Sequence, residues 1–317
     1  MVKTFAILGL TVALYAILAL YFGWDNLKLN LSAIPTSSLI ALGALSLINY
    51  ILRFARWSRY LQVLDAPLPW RSSLNLYFAT YVMVITPGKI GEIFKAGILR
   101  ERYGVPLAKG VPIVVAERIY DLLVVIILAV VGIFFWPGSL TGMTTGLVAA
   151  AGIPVLVFLF QQPGVRQILV RKAVQNKLLA RHQVGVEDSL NSLGRLLDPF
   201  QTVFSLAIST LAWLAECLGL YVVCHALGFP LGWGESVFIY AAGTLVGSLS
   251  FLPGGLGGTE ATIIYLLTRL EMNGATAAAV ALLVRLFTLW LAVIIGLLFF
   301  LVARKDLLRD PQEQHPA

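Results

Sequence analysis

Charge is what this 317-residue chain is short of: Asp, Glu, Lys and Arg make up only 12% of it, about half the share usual for a soluble domain. Histidine and cysteine are scarcer. His182, His225 and His315 have no metal-ligand spacing, so no metal ion is expected. Cys217 and Cys224 stand seven positions apart on one expected helix, about 10 Å in rise, too far for a disulfide. The Gly-rich stretches lack the Lys and Ser or Thr of a phosphate-cradling loop, which argues against energy from bound ATP. No catalytic constellation and no cofactor site emerge.

What fills the sequence is apolar: hydrophobic residues are 59% and mean hydropathy is +0.86. The expectation is an all-α integral membrane protein, one domain over 1–317. Six runs approach or exceed the roughly 20 residues that cross about 30 Å of hydrocarbon: Thr4–Gly23, Ser37–Leu52, Val111–Trp136, Met143–Phe160, Pro199–Leu227 and Ala275–Ala303. The first follows Lys3, but its apolar core is too long for a signal peptide and no clear cleavage site precedes "WDNLKLN", so an uncleaved anchor is expected. Trp24, Trp57, Trp70 and Trp136 fall near span ends, as interfacial aromatics do.

The few basic residues orient the spans. Nine lie between Arg53 and Lys109, six between Arg166 and Arg195, three in the tail and one at Lys3. By the positive-inside rule these regions are cytoplasmic, with both termini inside, in a multi-pass protein of the inner cell membrane. The net charge of +7 thus reports topology and calls for no nucleic acid. Residues 161–198 form a cytoplasmic basic amphipathic loop, in which "VRQILVRKAVQNKLLARH" reads as a helix on the anionic leaflet or as a solvated one.

Two segments remain that cannot be ordinary crossings. One turns at Thr86-Pro87-Gly88 and the other, Ser236–Leu270, at Leu252-Pro253-Gly254-Gly255. Pro removes a donor and Gly permits the reversal, so each reads as a re-entrant helical hairpin, with a plain kink as the alternative. "TPGKIGE" and "LPGGLGGTE" resemble each other, Pro87 and Pro253 are 166 apart, and Arg118 and Arg285 are 167 apart. The expected architecture is therefore about six transmembrane helices plus two hairpins in an inverted repeat, 37–136 against 199–303. Broken helices in corresponding halves point to a transport site near the midplane.

Arg118 and Arg285 lie inside spans, where a lone cation costs at least ~2.5 kcal/mol. Arg118 has Asp121 and Glu117 nearby for an intrahelical pair; the competing role is to face a ligand. Arg285 has no acidic residue within four positions, which leaves Glu216, Glu260, a backbone carbonyl or a ligand anion. After each turn a helix starts with free N–H groups that favour a negative group. Arg118, Arg285, Lys89, Gly88, Gly254 and Gly255 thus compose a candidate site for a lipid phosphate, gripped by guanidinium forks. Glu92 and Glu260, with Asp121, Glu117 and Glu216, are candidates for charge balance or proton coupling; Glu92, Glu260 and Thr259 also suit helix capping.

"TPGKIGEIFKAGILRERYG" followed by "ERIYDLL", then "LPGGLGGTE" and "LLVRLFTLWLAVIIG", resembles the flippase-like transmembrane domain of the lysylphosphatidylglycerol synthase family, over roughly Arg53 to Arg304. The resemblance implies a bundle with re-entrant hairpins that moves an anionic or aminoacylated lipid between leaflets. Thirteen residues follow Arg304, too few for an aminoacyl-transferring domain, so synthesis of the lipid is not expected. The expected partners are membrane lipids, with a homo-oligomer or a lipid-modifying enzyme as further options. Two other functions compete: a membrane-embedded lipid-phosphate transferase using Glu92 or Asp121 as base, and an accessory subunit docking an enzyme through 165–182.

Overall fold

The computed structural model describes residues 20–86, 91–137 and 183–308, together with Ala16 and Gly164. The expected span Thr4–Gly23, except Ala16 and its last four residues, and the expected span Met143–Phe160 lie outside these, as do residues 87–90, which include Pro87 and Gly88 of the first expected turn, and the basic run 165–182. The described residues form helices and no strand. In order they are α1 (Trp24–Ser32), α2 (Thr36–Val63), α3 (Trp70–Ala79), α4 (Phe94–Tyr103), α5 (Leu107–Ile133), α6 (Gln183–Leu196), α7 (Pro199–Ala226), α8 (Trp233–Leu249), α9 (Gly258–Arg269), α10 (Gly274–Arg285) and α11 (Leu291–Leu308). Short 3-10 turns at Thr80–Ile85 and Pro253–Gly255 follow α3 and α8, and a π turn at Leu286–Trp290 joins α10 to α11.

Local chemistry sets several boundaries. α7 starts where Asp198 accepts a hydrogen bond from Phe200 N at 3.0 Å, with Pro199 in the first turn. Asn273 caps α10 in the same way through Ala275 N, at 2.9 Å. α4 stops at Gly104, whose φ of 64° makes a left-handed C-cap. The π turn frees backbone carbonyls, and the Tyr50 hydroxyl donates to two of them, Phe287 O at 2.9 Å and Thr288 O at 3.1 Å.

Three helical stretches among the described residues are long and apolar enough to cross a membrane: Thr36–Val63, Pro199–Ala226 and Gly274–Ala303. α5 covers most of the expected span Val111–Trp136 but carries Glu117, Arg118 and Asp121 near its middle. α2 corrects the expected end at Leu52. It continues for eleven more residues, through Arg53 and Arg56, because those cations find carboxylate partners inside the protein. Trp57, expected at an interface, is instead fully buried, its Nε1 donating to Ser73 Oγ at 3.2 Å. Trp24 and Trp70 are largely exposed.

Packing divides the interior in two. One apolar cluster gathers Trp57, Tyr60, Leu76, Leu99, Ile113 and Tyr120 from α2 to α5. The other gathers Leu42, Val124, Leu220, Val237, Ile263 and Val280 from α2, α5 and α7 to α10. α2 and α5 serve both, and their charged residues Arg53, Arg56, Glu117, Arg118 and Asp121 are interleaved with residues of the first cluster. The two helix breaks also meet, since Ile85 and Leu256 share a small cluster with Leu289 of the π turn. At Gly254, φ of 61° permits the reversal between α8 and α9.

α5 and α8 approach so closely that a Cβ on Gly132 would lie 2.6 Å from the Phe238 backbone nitrogen. Backbone cannot swing aside, so Gly132→Leu is expected to destabilise by at least the ~1–3 kcal/mol typical of overpacking. The thermal midpoint in detergent should fall accordingly. Gly97→Ala, where nothing lies within 4 Å, should melt like the parent.

Candidate functional site

A cavity of about 340 Å³ opens where the two helix breaks meet. α2 supplies Arg53, α5 supplies Arg118 and Asp121, α7 supplies Trp213 and Glu216, and α8 supplies Tyr240. The second break brings Gly254, Gly255 and Thr259, and α10 brings Arg285. A smaller chamber of about 40 Å³ adjoins it through Arg53, Arg118, Glu216 and Thr288, and reaches Glu92 and Lys95.

Six expected site residues therefore face one space: Arg118, Arg285, Asp121, Glu216, Gly254 and Gly255. Glu92 borders the adjoining chamber. Lys89 and Gly88 lie outside the described residues. Glu260 stands behind the cavity wall as the partner of Arg285, and Glu117 pairs with Lys95 of the adjoining chamber.

The pairing corrects one expectation. Arg118 pairs first with Glu92, at 2.6 Å, across to the start of the α4 arm, and approaches Asp121 on its own helix only to 3.6 Å. Glu117 is not an Arg118 partner. It binds Lys95 Nζ at 2.8 Å, and that ammonium also lies 5.0 Å and 4.9 Å from the ring centres of Trp57 and Tyr77. Asp121 is gripped from α2 instead, by Arg53 and, at 2.9 Å, by Arg56. Helical spacing shows which residues share a face but not which neighbour brings a better partner.

For Arg285, two of the four expected partners act together. Its Nε donates to Glu260 at 2.8 Å and its Nη2 to the Gly254 carbonyl in the break. The other oxygen of Glu260 accepts from Gly257 N at 2.8 Å, so this carboxylate both caps α9 and holds Arg285. Thr259 is buried in the cavity wall and the capping falls to Glu260. Glu216 accepts the Tyr240 hydroxyl.

Two of the Glu–Arg pairs have nearly the same spacing in sequence. Glu92 and Arg118 are 26 residues apart and paired, and Glu260 and Arg285 are 25 apart and paired. In each case the carboxylate follows the helix break and the arginine sits on the next long helix.

Arg53, Arg56, Lys95, Trp213 and Tyr240 were not among the expected site residues. The first three count among the basic residues that set the expected cytoplasmic side, yet Arg56 and Lys95 are almost wholly buried. A signal for Arg53 and Arg56 exists in "LRFARWSRY": apolar and aromatic residues keep helical spacing between the cations, as in a helix that stays inside the protein.

Because breaking a buried pair leaves an uncompensated charge, Glu260→Gln is expected to cost ~3–5 kcal/mol. Adding Arg285→Met to it should restore part of the loss. Thermal unfolding of the single and double variants in detergent checks this, and additive losses would contradict it.

Comparison with known proteins adds kinship. A model of the family described as "Lysylphosphatidylglycerol synthase TM region" matches residues 6–296. A UPF0104 membrane protein of Methanothermobacter thermautotrophicus is 26% identical over 73% of this chain and 74% of its own length. One of Methanocaldococcus jannaschii is 24% identical over 74% of this chain and 99% of its own. One of Pyrococcus horikoshii is 21% identical over 96% of this chain and 98% of its own.

Proposed function

Since this chain belongs to the family of the lysylphosphatidylglycerol synthase TM region, a membrane protein family, we propose that it moves a phosphate-bearing lipid headgroup between leaflets. The observation that carries this reading is the cavity at the junction of two helix breaks, with one arginine from each half on its wall. Guanidinium groups match phosphate oxygens in shape and charge. Leu122 and Leu252, both exposed apolar residues, also line the cavity, which suits a ligand whose acyl chains stay in the bilayer.

The finer architecture belongs to the same proposal. α4 and α9, of 10 and 12 residues, rise about 15 and 18 Å, roughly half of a hydrocarbon layer. Such short arms, and the matched Glu–Arg pairs, support two re-entrant hairpins in an inverted repeat, 37–136 against 199–303, within about six spans. The protein would sit in the cell membrane with both termini cytoplasmic, and rocking of one half on the other would carry the headgroup. A transferase would need Glu92 or Asp121 as a base, and both carboxylates are held by guanidinium groups, which favours transport over that chemistry.

Translocation of headgroup-labelled anionic and aminoacylated lipids in liposomes, scored with a membrane-impermeant quencher, tests the reading. Wild type should move at least one of them. Arg118→Ala and Arg285→Ala should each slow movement tenfold or more while the protein still elutes as a folded species, the scale of losing a charge-assisted contact. Absence of movement across the panel would count against transport.

A further inference from the structure

The two arginines in that proposal are not equally available. The Arg285 side chain is 9% exposed and both ends of its guanidinium are spent on the second break, whereas Arg118 is 30% exposed toward the cavity. Beside Arg118 lies Arg53, 16% exposed, its guanidinium 5.6 Å from the centre of the Trp213 ring. All three residues line the cavity, and each has a buried donor with no hydrogen-bond partner: Arg53 Nε, Arg118 Nε and Trp213 Nε1. Trp213 is itself only 7% exposed. A buried indole N–H without an acceptor is costly, and three such donors on one wall call for a ligand with several acceptor oxygens.

Charge narrows that ligand. On this side Arg53, Arg56, Lys95 and Arg118 face the carboxylates Glu92, Glu117 and Asp121, a surplus of one positive charge. Glu216 faces the same space with the Tyr240 hydroxyl on its carboxylate and disfavours any further negative charge. With Glu216 counted, four cations face four carboxylates, so every negative charge a ligand brings is added to a balanced site, and a monoanion is disfavoured less than a dianion.

Resting on the transport reading above, the geometry points to an oxyanion subsite formed by Arg53, Arg118 and the Trp213 indole N–H, which seats the oxygens of a phosphodiester monoanion. Arg285 holds the second break in shape behind it. Trp213 thereby becomes a binding residue, and its ring also meets the Arg53 guanidinium in a cation–π contact.

The test measures thermal stabilisation of the detergent-solubilised full chain against concentration of three probes. These are short-chain phosphatidylglycerol as diester, phosphatidic acid of the same chains as monoester, and inorganic phosphate. Each variant's own unliganded melt is the baseline. Trp213→Phe keeps the ring and loses the donor; Arg53→Lys keeps the charge for Asp121 and loses the fork. Phosphatidylglycerol should stabilise wild type at lower concentration than phosphatidic acid. Half-saturation should rise about tenfold or more in both Trp213→Phe and Arg53→Lys, the effect of losing one hydrogen bond to a charged acceptor. Unchanged half-saturation in both variants, with loss in Arg285→Ala, would overturn the subsite and leave lipid transport standing. Tighter binding of phosphatidic acid would overturn the diester assignment. Stabilisation by inorganic phosphate as strong as by the lipid, and weakened in the same two variants, would support the subsite and assign it to free phosphate. If no phosphate compound stabilises wild type, the transport reading falls and the subsite with it.

Discussion

The buried ion pairs between segments far apart in sequence are the constraint on which the rest of this structure depends. Arg53 and Arg56 of α2 hold Asp121 of α5, Lys95 of α4 holds Glu117 of α5, and Glu92 ahead of α4 holds Arg118. Arg285 of α10 holds Glu260 of α9. Each charge would cost several kcal/mol in an apolar interior if left alone. The helices must therefore meet in one register, because a slip of one residue turns each partner by about 100°. Apolar packing binds the helices non-directionally, and the pairs fix where they stop. Such pairs add little net stability over apolar residues of the same shape, so their value is in specifying one arrangement.

That arrangement gathers charge inside the protein, around the cavity where the helix breaks also meet. The coincidence has a physical reason. A broken helix exposes carbonyls and N–H groups that must be satisfied by protein or water at membrane depth. Arg285 does this for the Gly254 carbonyl and Glu260 does it for the Gly257 N–H. At the first break the Thr86 hydroxyl donates to Met83 O at 2.7 Å and accepts from Gly91 N at 2.9 Å. The breaks thus recruit polar side chains, and those side chains line the cavity.

Much of this was legible from the sequence because it rests on backbone chemistry. Pro and Gly at two corresponding places announced the breaks, and isolated Arg118 and Arg285 in apolar runs announced the charged interior. The matching spacing of Glu92 to Arg118 and Glu260 to Arg285 was present in the letters, yet only the fold showed the members of each pair touching. The burial of Arg53, Arg56 and Lys95 was not foreseen because a count of basic residues treats every cation near a span end as solvated. Whether such a cation is inside depends on a carboxylate tens of positions away. Trp213 was missed for a related reason: an aromatic in an apolar run looks like packing until its N–H is seen to lack an acceptor.

The two Glu–Arg pairs, alike in sequence spacing, differ in what surrounds them, and the difference sets what each half can do on the proposed reading. A phosphate that reaches Arg118 meets an Nε without a hydrogen-bond partner on a guanidinium already turned toward the cavity, so Glu92 keeps its pair with the Nη2 end. At Arg285 a phosphate would strip Glu260 from its double role and release the Gly254 carbonyl, which undoes the second break. One half therefore takes the ligand and the other holds the hinge in this conformation. If the halves are related by an inverted repeat, the opposite conformation would exchange those roles, with Arg285 turned to the cavity and Glu92 drawn fully onto Arg118. A symmetric chain reaches both sides of a membrane in this way without any residue serving both at once.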